Sequence, residues 1–318
     1  MTGGRLPILP APMPARARRR GFAARFASAA LGLAFLAGLS SGAAQAQAAE
    51  RVVVAGGVIT EVIYALGQQD RVAGVDSTSQ FPLEALKDKA NIGYVRALSA
   101  EGVLSLKPSL VMLIDGAGPP DAVSLLKESG VRVVQFDDGA TPEGVAAKIE
   151  AIGAVLGAAE PARRLAAQTT ARFDELATLR GALKDKRRVL FVLSLQNGRV
   201  LVGGRNTQAD AIIKLAGGVN VAADIDGYKP MTDEAIVAAA PEAVVMMRHA
   251  STHNAPADEL FALPAFSRTP AAAKKVLVRM DGLYLLGFGP RAPLAARDLM
   301  AALYPEAAIP PLKTAAAP

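Results

Sequence analysis

The chain has 318 residues, no cysteine and a formal net charge of +6. Six of its 35 Lys and Arg residues lie within residues 1–48, which contain no acidic residue, so the remaining 29 balance the 29 Asp and Glu residues. The absence of cysteine excludes a scaffold stapled by disulfides, and a formally neutral body offers no basic face to nucleic acid or to an anionic membrane.

The first 48 residues have the pattern of a secretory signal peptide. Arg16 and Arg18–Arg20 form a basic stretch, residues 26–39 are apolar and uncharged, and Ala46-Gln47-Ala48 is a small-residue cleavage signal. The apolar run is shorter than the roughly 20 residues of a membrane span. The arginine pair also fits a twin-arginine export signal, and both routes lead to the periplasm. No cysteine follows the cleavage signal to carry a lipid, so we expect the exported chain to diffuse freely there.

Short apolar runs then alternate with helical patterns, which is typical of helices layered on parallel sheets. The runs fall into two groups of four. The predicted strands are residues 51–55, 72–75, 110–114 and 131–136 in the first group, and residues 189–194, 199–202, 243–247 and 276–280 in the second. Each group predicts one α/β lobe with a parallel-sheet core.

A helical segment without strand character separates the two groups. It runs from residue 142 to residue 183, with Gly157 marking a stop and Pro161 suiting the first turn of a new helix. From there the apolar residues recur at helical spacing, which predicts a rod of about 35 Å at 1.5 Å per residue. The expected domains are two Rossmann-like α/β lobes, residues 49–158 and 186–318, and one long linking helix over residues 159–185, with the ligand cleft between the lobes.

An internal repeat supports two similar lobes. Ser99-Ala100-Glu101 and Pro108 correspond to Thr232-Asp233-Glu234 and Pro241 at an offset of 133 residues, and a predicted strand follows each proline. Each copy reads as a capped helix, a proline turn and a strand. Such units resemble one another in many α/β proteins, so the repeat alone does not prove two related lobes. Without further context, Glu101 and Glu234 only stabilise the helix dipoles.

Loops that follow strand ends are where a two-lobed α/β protein binds its ligands. Most of these loops carry glycine, which lets the backbone pass close to a neighbour. The candidate cleft loops are residues 56–59, 93–96, 115–119, 195–198, 228–230 and 248–253.

Tyr94, in the second of these loops, is the candidate metal-binding residue. Haem iron can be held by a tyrosine, and ferric iron, as a hard ion, suits a phenolate oxygen. A tyrosine ionises near pH 10 in water, so it needs the metal and a nearby cation to become a phenolate at neutral pH. Arg96 lies two residues along a segment predicted to be extended, which puts both side chains on the same side. Taken alone, Tyr94 would more often be an ordinary loop tyrosine and Arg96 a solvated charge.

His249 and His253 share one polar loop with Arg248. A zinc or manganese carrier would offer more imidazole and carboxylate ligands, converging from both lobes. The two histidines are therefore predicted to be solvated, or accessory as a second axial ligand, and Arg248 is a candidate partner for a propionate. Enzyme signals are weak, because the chain after residue 48 contains no G-x-S-x-G motif, no P-loop and no complete G-x-G-x-x-G motif.

Several segments of the chain resemble the periplasmic haem-binding proteins of bacterial haem ABC importers. These are GYVRALSAEGVLSLKPSLV from Gly93, GGRNTQADAIIKLAGG from Gly203, GYKPMTDEAIVAAAPEAVV from Gly227, and MDGLYLLGFGPRAP from Met280. The resemblance extends through nearly all of the chain after the signal peptide, and the Gly-Tyr-x-Arg-x-Leu-Ser-x-Glu-Gly run is its most specific part.

The resemblance implies a role for particular residues. It implies that Tyr94 ligates ferric haem b and that Arg96 supports this ligand. It also implies two lobes with a single-helix hinge, as in the wider class that includes siderophore and cobalamin binders. In that class a glutamate of each lobe contacts the permease, which here means Glu101 and Glu234.

One departure from the family bears on stoichiometry. Some members have a histidine just after the first strand of the second lobe, and one type stacks two haems by using it. Here residues 193–198 read LSLQNG, without histidine. The sequence therefore predicts a single haem, held by Tyr94 alone or with a weak partner from the loop 248–253.

The function that the resemblance implies is that of a monomeric carrier. It would receive haem from an outer-membrane receptor system and deliver it to an inner-membrane ABC permease dimer, without catalysing a reaction. One alternative is the same scaffold carrying a ferric siderophore or cobalamin, which would rely on an aromatic or basic cleft, whereas this chain has no tryptophan and few aromatic residues. The other is a periplasmic enzyme on a two-lobed scaffold, which would need a bound nucleotide or a catalytic triad.

Overall fold

The structure is a computed structural model that describes residues 50–196, 199–248 and 256–313. The predicted signal peptide, residues 1–48, lies outside these ranges, as do His249 and His253. Within the described ranges, no helix is both long enough and apolar enough to cross a membrane.

Five parallel strands form the sheet of the first lobe, in the spatial order β3-β2-β1-β4-β5. The strands are β1 (Val52–Ala55), β2 (Val72–Val75), β3 (Ala90–Asn91), β4 (Leu110–Ile114) and β5 (Arg132–Phe136). Every residue of β1 and β4 is buried, as expected for central parallel strands covered on both faces. The helices of this lobe are α1 (Gly57–Ala65), α2 (Leu83–Asp88), α3 (Ala100–Ser105), α4 (Pro120–Glu128) and α5 (Pro142–Val155). The strand order reverses between β1 and β4, where a crevice for ligands opens.

The second lobe is built on a six-stranded sheet with the order β11-β10-β6-β7-β9, and β8 pairs with β6 beside β7. The strands are β6 (Arg188–Gln196), β7 (Arg199–Gly203), β8 (Val219–Asn220), β9 (Tyr228–Met231), β10 (Ala243–Arg248) and β11 (Leu277–Asp281). The helices are α7 (Gln208–Leu215), α8 (Asp233–Ala239), α9 (Ala257–Ala262), α10 (Pro270–Lys274), α11 (Gly282–Leu286) and α12 (Ala292–Leu303).

This second sheet is mixed rather than wholly parallel. The strands β8, β10 and β11 continue the parallel arrangement, whereas β7 pairs with β6, and β9 with β7, in antiparallel fashion. Only two residues separate β6 from β7 along the chain. So short a connection can join only antiparallel neighbours, because a parallel crossover needs a dozen residues or more.

One long helix, α6 (Ala159–Gly181, 23 residues), connects the lobes. It lies within the predicted linking segment, and Pro161 falls in its first turn as expected. Its buried face includes Leu165, Phe173 and Leu176, and it packs against α5 and α12, which belong to different lobes. The helix therefore contributes to a core shared by both lobes. The lobe boundaries at residues 158 and 186 stay predictions.

The internal repeat has the predicted structure in both copies. Ser99 caps α3 by accepting a hydrogen bond from the backbone N–H of residue 102, and Thr232 caps α8 in the same way from residue 235. In both copies the residue before the proline is left-handed, with φ of 50° at Lys107 and 43° at Ala240. A buried strand follows each time, β4 in the first copy and β10 in the second.

The prediction that residues 228–230 form a cleft loop is wrong. They belong to β9, an edge strand in which Pro230 pairs opposite Leu201. Pro has no N–H to donate, and an edge position is where a sheet tolerates it. The Lys-Pro pair looked like a turn because the edge position was not visible in the sequence.

Candidate functional site

A cavity of about 360 Å³ opens between the two lobes. On the first lobe it is bounded by the carboxyl ends of all five parallel strands, and on the second by the end of β10 and by α11, as the crevice rule for α/β sheets predicts. Its lining residues are Gly56, Gly57, Val58, Thr78, Gln80, Tyr94, Val95, Arg96, Ile114, Asp115, Gly116 and Asp138 from the first lobe, and Met247, Arg248, Gly282, Leu283, Leu286 and Gly287 from the second.

Tyr94 and Arg96 both line this cavity, but the segment that carries them is not extended. The backbone N–H of Ala97 donates to the carbonyl oxygen of Tyr94 at 2.8 Å, which closes a β-turn over residues 94–97. The turn corrects the alternation argument from sequence, since both side chains reach the cavity through a bend. The Tyr94 side chain is about half exposed, at 51%.

Backbone hydrogen bonds fix the position of the Tyr94 turn. Gly93 has a φ of +90°, a conformation that favours glycine, and its N–H donates to Asn91 Oδ1 at 2.8 Å. On the other side, the N–H of Gly118 donates to the Val95 carbonyl at 2.9 Å, and the Leu98 N–H donates to the Gly118 carbonyl at 2.7 Å. The turn is therefore anchored to the loop after β4, with Val95 and Leu98 buried beneath it.

Among the described residues, the second lobe contributes a mainly apolar wall with one cation, Arg248. Met247 and Arg248 come from the end of β10, and the guanidinium of Arg248 donates to the carbonyl oxygen of Arg279 at 3.4 Å. Leu283 and Leu286 project from α11. His249 and His253 lie outside the described residues, so their predicted accessory role stays a prediction.

Asp138, in the loop after β5, joins the two lobes at the cavity. Its carboxylate accepts from Gln208 Nε2 of the second lobe at 2.7 Å, and Lys148 Nζ lies 3.3 Å from its other oxygen. Lys148 is buried and also donates to the carbonyl oxygen of Phe288 in the second lobe at 3.5 Å. Burial raises the pKa of Asp138 above its ordinary value, against the attraction of the Lys148 ammonium.

A second bridge between the lobes uses Arg291, next to the start of α12. Its guanidinium donates to Glu61 Oε2 of α1 at 2.8 Å and lies 3.5 Å from the ring centroid of Phe81, also in the first lobe. The Glu61 side chain is 5% exposed and that of Arg291 is 23% exposed, so this ion pair is mostly desolvated. Together with the rod of α6, these two bridges lead us to expect that the cleft changes its width little when cargo binds.

Removing the cation beside Asp138 has an expected pH signature. Lys148→Met should raise the pKa of Asp138 further, because the attraction that opposes desolvation is lost. An acid with a raised native pKa contributes stability that is fully present below its unfolded pKa, about 3.9, and is lost as pH rises through the native pKa. The free energy of unfolding of Lys148→Met should thus fall further below that of the wild type at pH 7 than at pH 4.

Each added pKa unit at Asp138 corresponds to about 1.4 kcal/mol of this extra loss. Urea unfolding at the two pH values measures it. Lys214→Met is the control, since Lys214 is 62% exposed and its pair with Asp210 is expected to matter by less than about 1 kcal/mol. A difference between Lys148→Met and wild type that does not depend on pH would contradict this account of Asp138.

The predicted cleft loops meet the cavity only in part. The loops at 56–59, 93–96 and 115–119 line it. Of the predicted loop 248–253, Arg248 lines the cavity. Of the loop 195–198, Leu195 ends up in β6 and does not line the cavity, while residues 197 and 198 lie outside the described part. Three contributions were missed, from the loops after β2 and β5 and from α11. All three follow predicted strands, so the strand-end rule, applied to every strand, would have found them.

Glu101 and Glu234 lie away from this cavity in equivalent positions of the two lobes. Each occupies the first turn of its capped helix, α3 or α8, and each is exposed. The structure therefore presents two similar acidic sites, one on each lobe.

Comparison with known proteins places the chain among proteins of this architecture. It is 38% identical to the solved structure "Periplasmic heme-binding protein RhuT from Roseiflexus sp. RS-1 in apo form", with a TM-score of 0.78 and coverage of 81% of this chain and 99% of that one. It is 39% identical to "Periplasmic heme-binding protein BhuT in complex with two hemes", with a TM-score of 0.74 and the same coverage.

A curated relative carries a different name. The "Cobalamin-binding protein" of Halobacterium salinarum is 30% identical over 231 residues, which cover 70% of this chain and 60% of that protein. The sequence pattern of the family described as "Periplasmic binding protein" matches residues 52–283. Because that match covers most of the chain, the protein belongs to the periplasmic binding protein family.

Proposed function

We propose that the protein binds one haem b in the cleft between its lobes and carries it through the periplasm. The observation that supports this most directly is that Tyr94, Arg96 and Arg248 line one cavity. In this proposal the Tyr94 phenolate ligates the ferric iron, and the Arg96 guanidinium supports this ligand. Tyr94 is half exposed at the cavity, so a planar cargo has access to its hydroxyl.

The two arginines give the proposal a second argument, from charge. Arg96 belongs to the first lobe and Arg248 to the second, and haem carries two propionates that each suit a guanidinium. The rest of the wall fits the macrocycle, because Val58, Leu283 and Leu286 are apolar. His249 and His253, which follow Arg248 in the chain, would at most supply a weak second axial ligand.

Delivery to an ABC permease in the inner membrane is part of the same proposal. Glu101 and Glu234 are exposed, equivalent and on different lobes, as required for docking onto two equivalent basic sites of a permease dimer. The haem would come from an outer-membrane receptor system, the carrier would act as a monomer, and no reaction would be catalysed.

Cobalamin is the second candidate cargo, favoured by the name of the archaeal relative. Its corrin ring bears amide side chains rather than two propionates, so a cationic group on each lobe would contribute less to binding it.

The stoichiometry is also part of the proposal. We expect one haem, because the stretch from Leu193 to Leu195 has no histidine, although the relative BhuT is described with two hemes.

A titration with two cargoes tests the proposal. Purified chain from residue 49 onward is titrated with haemin and, separately, with cyanocobalamin, and absorption spectra are recorded. We expect a Soret band with the charge-transfer bands of a tyrosinate complex, saturating at one haemin per chain. Tight binding of cyanocobalamin without any of haemin would reject the haem proposal, and saturation at two haemins would reject the stoichiometry.

A further inference from the structure

Asp76, the residue after β2, is fully buried but belongs to neither the hydrophobic core nor the cavity lining. Its Oδ1 accepts from the backbone N–H of Gly56 at 2.8 Å and from Ser79 Oγ at 3.2 Å. Its Oδ2 accepts from the N–H of Thr78 at 2.9 Å and from Thr78 Oγ1 at 2.7 Å. A carboxylate is costly to bury without such donors, so this set of bonds is what keeps Asp76 in place.

These bonds tie together two loops that line the cavity. Gly56 and Gly57 follow β1, and Thr78 follows β2. The N–H of Gly57 donates to Thr78 Oγ1 at 3.0 Å, and the same hydroxyl donates its proton to Asp76. The two glycine N–H groups are thus both fixed by Asp76, one directly and one through Thr78.

The bonds also change what the start of α1 offers to a ligand. The first N–H groups of a helix have no partner within the helix and usually attract anions. Here the N–H groups of Gly56 and Gly57 are already taken by Asp76 and Thr78. These two N–H groups are therefore not available to a carboxylate of the cargo.

The same part of the wall is closely packed against its neighbours. A Cβ atom on Gly57 would lie 2.2 Å from the carbonyl oxygen of Thr78, and one on Gly56 would lie 2.8 Å from Cβ of Ile114. Gly56 also has a φ of +140°, which other residues rarely adopt. No side chain fits at either position, so the backbone of this part of the wall packs directly against Thr78 and Ile114.

We propose that Asp76 is a positioning residue for cargo: it holds the Gly56-Gly57 wall in one position against the macrocycle and takes up two N–H groups at the start of α1, so that the anionic groups of the cargo turn to Arg96 and Arg248. This proposal rests on haem as the cargo. It goes beyond the iron ligand, because it assigns the macrocycle face and the orientation of the propionates to a buried residue that does not touch the ligand.

Asp76→Asn tests this role. The amide replaces one acceptor oxygen with an NH₂ group that faces N–H or O–H donors, so the two loops lose their common anchor. We expect haemin affinity to fall about tenfold, with the tyrosinate absorption bands kept because Tyr94 is untouched. Thr78→Val, which keeps the side-chain shape but removes the hydroxyl relay, should also weaken binding, and Thr78→Ser, which keeps the hydroxyl, should weaken it less.

Asp210→Asn is the matched control. Asp210 is a buried carboxylate in α7 that accepts from Asn220 Nδ2 at 3.0 Å and from Lys214 Nζ at 2.6 Å, and it does not line the cavity. The Asp210→Asn variant should have a lower thermal midpoint of unfolding and an unchanged affinity for haemin. Wild-type affinity in both Asp76→Asn and Thr78→Val, or an equal loss in Asp210→Asn, would overturn the role of Asp76 alone. Wild-type protein that binds no haemin would instead overturn the haem proposal, and this one with it.

Discussion

Tyr94→Phe is expected to weaken haemin binding by more than about 100-fold and to abolish the tyrosinate charge-transfer bands. Removing a residue that only supports a metal ligand typically lowers metal affinity 10–100-fold, so removing the sole strong ligand should lower haemin affinity by more than that. Phenylalanine keeps the ring and removes only the oxygen, so the turn over residues 94–97, which is held by backbone hydrogen bonds, should stay intact. Equilibrium titration followed at the Soret band measures both the affinity and the ligation.

Tyr64→Phe is the matched control for this change. Tyr64 lies in α1, is partly buried and does not line the cavity, so its variant should bind haemin as the wild type does. Arg96→Leu should have an intermediate effect, because the phenolate loses a supporting cation but not the iron. If Tyr94→Phe bound haemin with wild-type affinity, the ligand would be another residue, and Met247 or the loop after β10 would be the first place to look.

Much of the first lobe could be predicted from the sequence because its strands are short, buried and continuous in apolar character. The predicted runs 72–75 and 110–114 coincide with β2 and β4. The second lobe was harder, since its sheet mixes parallel and antiparallel pairs. The edge strand β9 contains Lys229 and Pro230, which are poor strand formers, and it forms because its backbone pairs with β7. Such pairing is a tertiary contact that local pattern does not encode.

The same distinction between local pattern and tertiary contact applies to the site. Arg248 could be placed near a cleft because it follows a predicted strand, whereas β3, which precedes Tyr94 and Arg96, was not among the predicted strands. Asp138 was not singled out from the sequence, because its role depends on Gln208 and Lys148, which are 70 and 10 residues away in sequence. The role we infer for Asp76 depends in the same way on loops that meet only in the folded chain.

For Tyr94 and Arg96 the alternation rule predicted the right location from the wrong backbone conformation. Alternation along an extended segment predicted that Tyr94 and Arg96 share a side. The chain instead turns at these residues, and both side chains face the cavity because the turn is tied to Gly118 and seated on Val95 and Leu98. The anchors of the turn, rather than strand geometry, decide where the two side chains point.

Charge reversal at both docking sites, Glu101→Lys with Glu234→Lys, is expected to reduce haem uptake more than tenfold while leaving haemin affinity unchanged. Placing a lysine against a basic site of the permease replaces attraction with repulsion, and like charges at an interface cost several kcal/mol, where each 1.4 kcal/mol is a factor of ten. Both residues are exposed in capped helices outside the cavity, so neither the fold nor the cleft should change. Uptake is measured with the purified carrier and its permease in proteoliposomes, and affinity by titration.

Glu143→Lys separates docking from a general effect of charge. Glu143 is exposed in the first turn of α5, a helix capped by Thr141 in the same manner as α3 and α8, so it carries the same helix-dipole penalty on reversal. It lies outside the repeat and should leave uptake unchanged. Because two equivalent contacts are expected, each single reversal should lower uptake less than the pair does. Equal loss in Glu143→Lys, or loss of haemin affinity in the double variant, would show that the acidic sites do not act by docking.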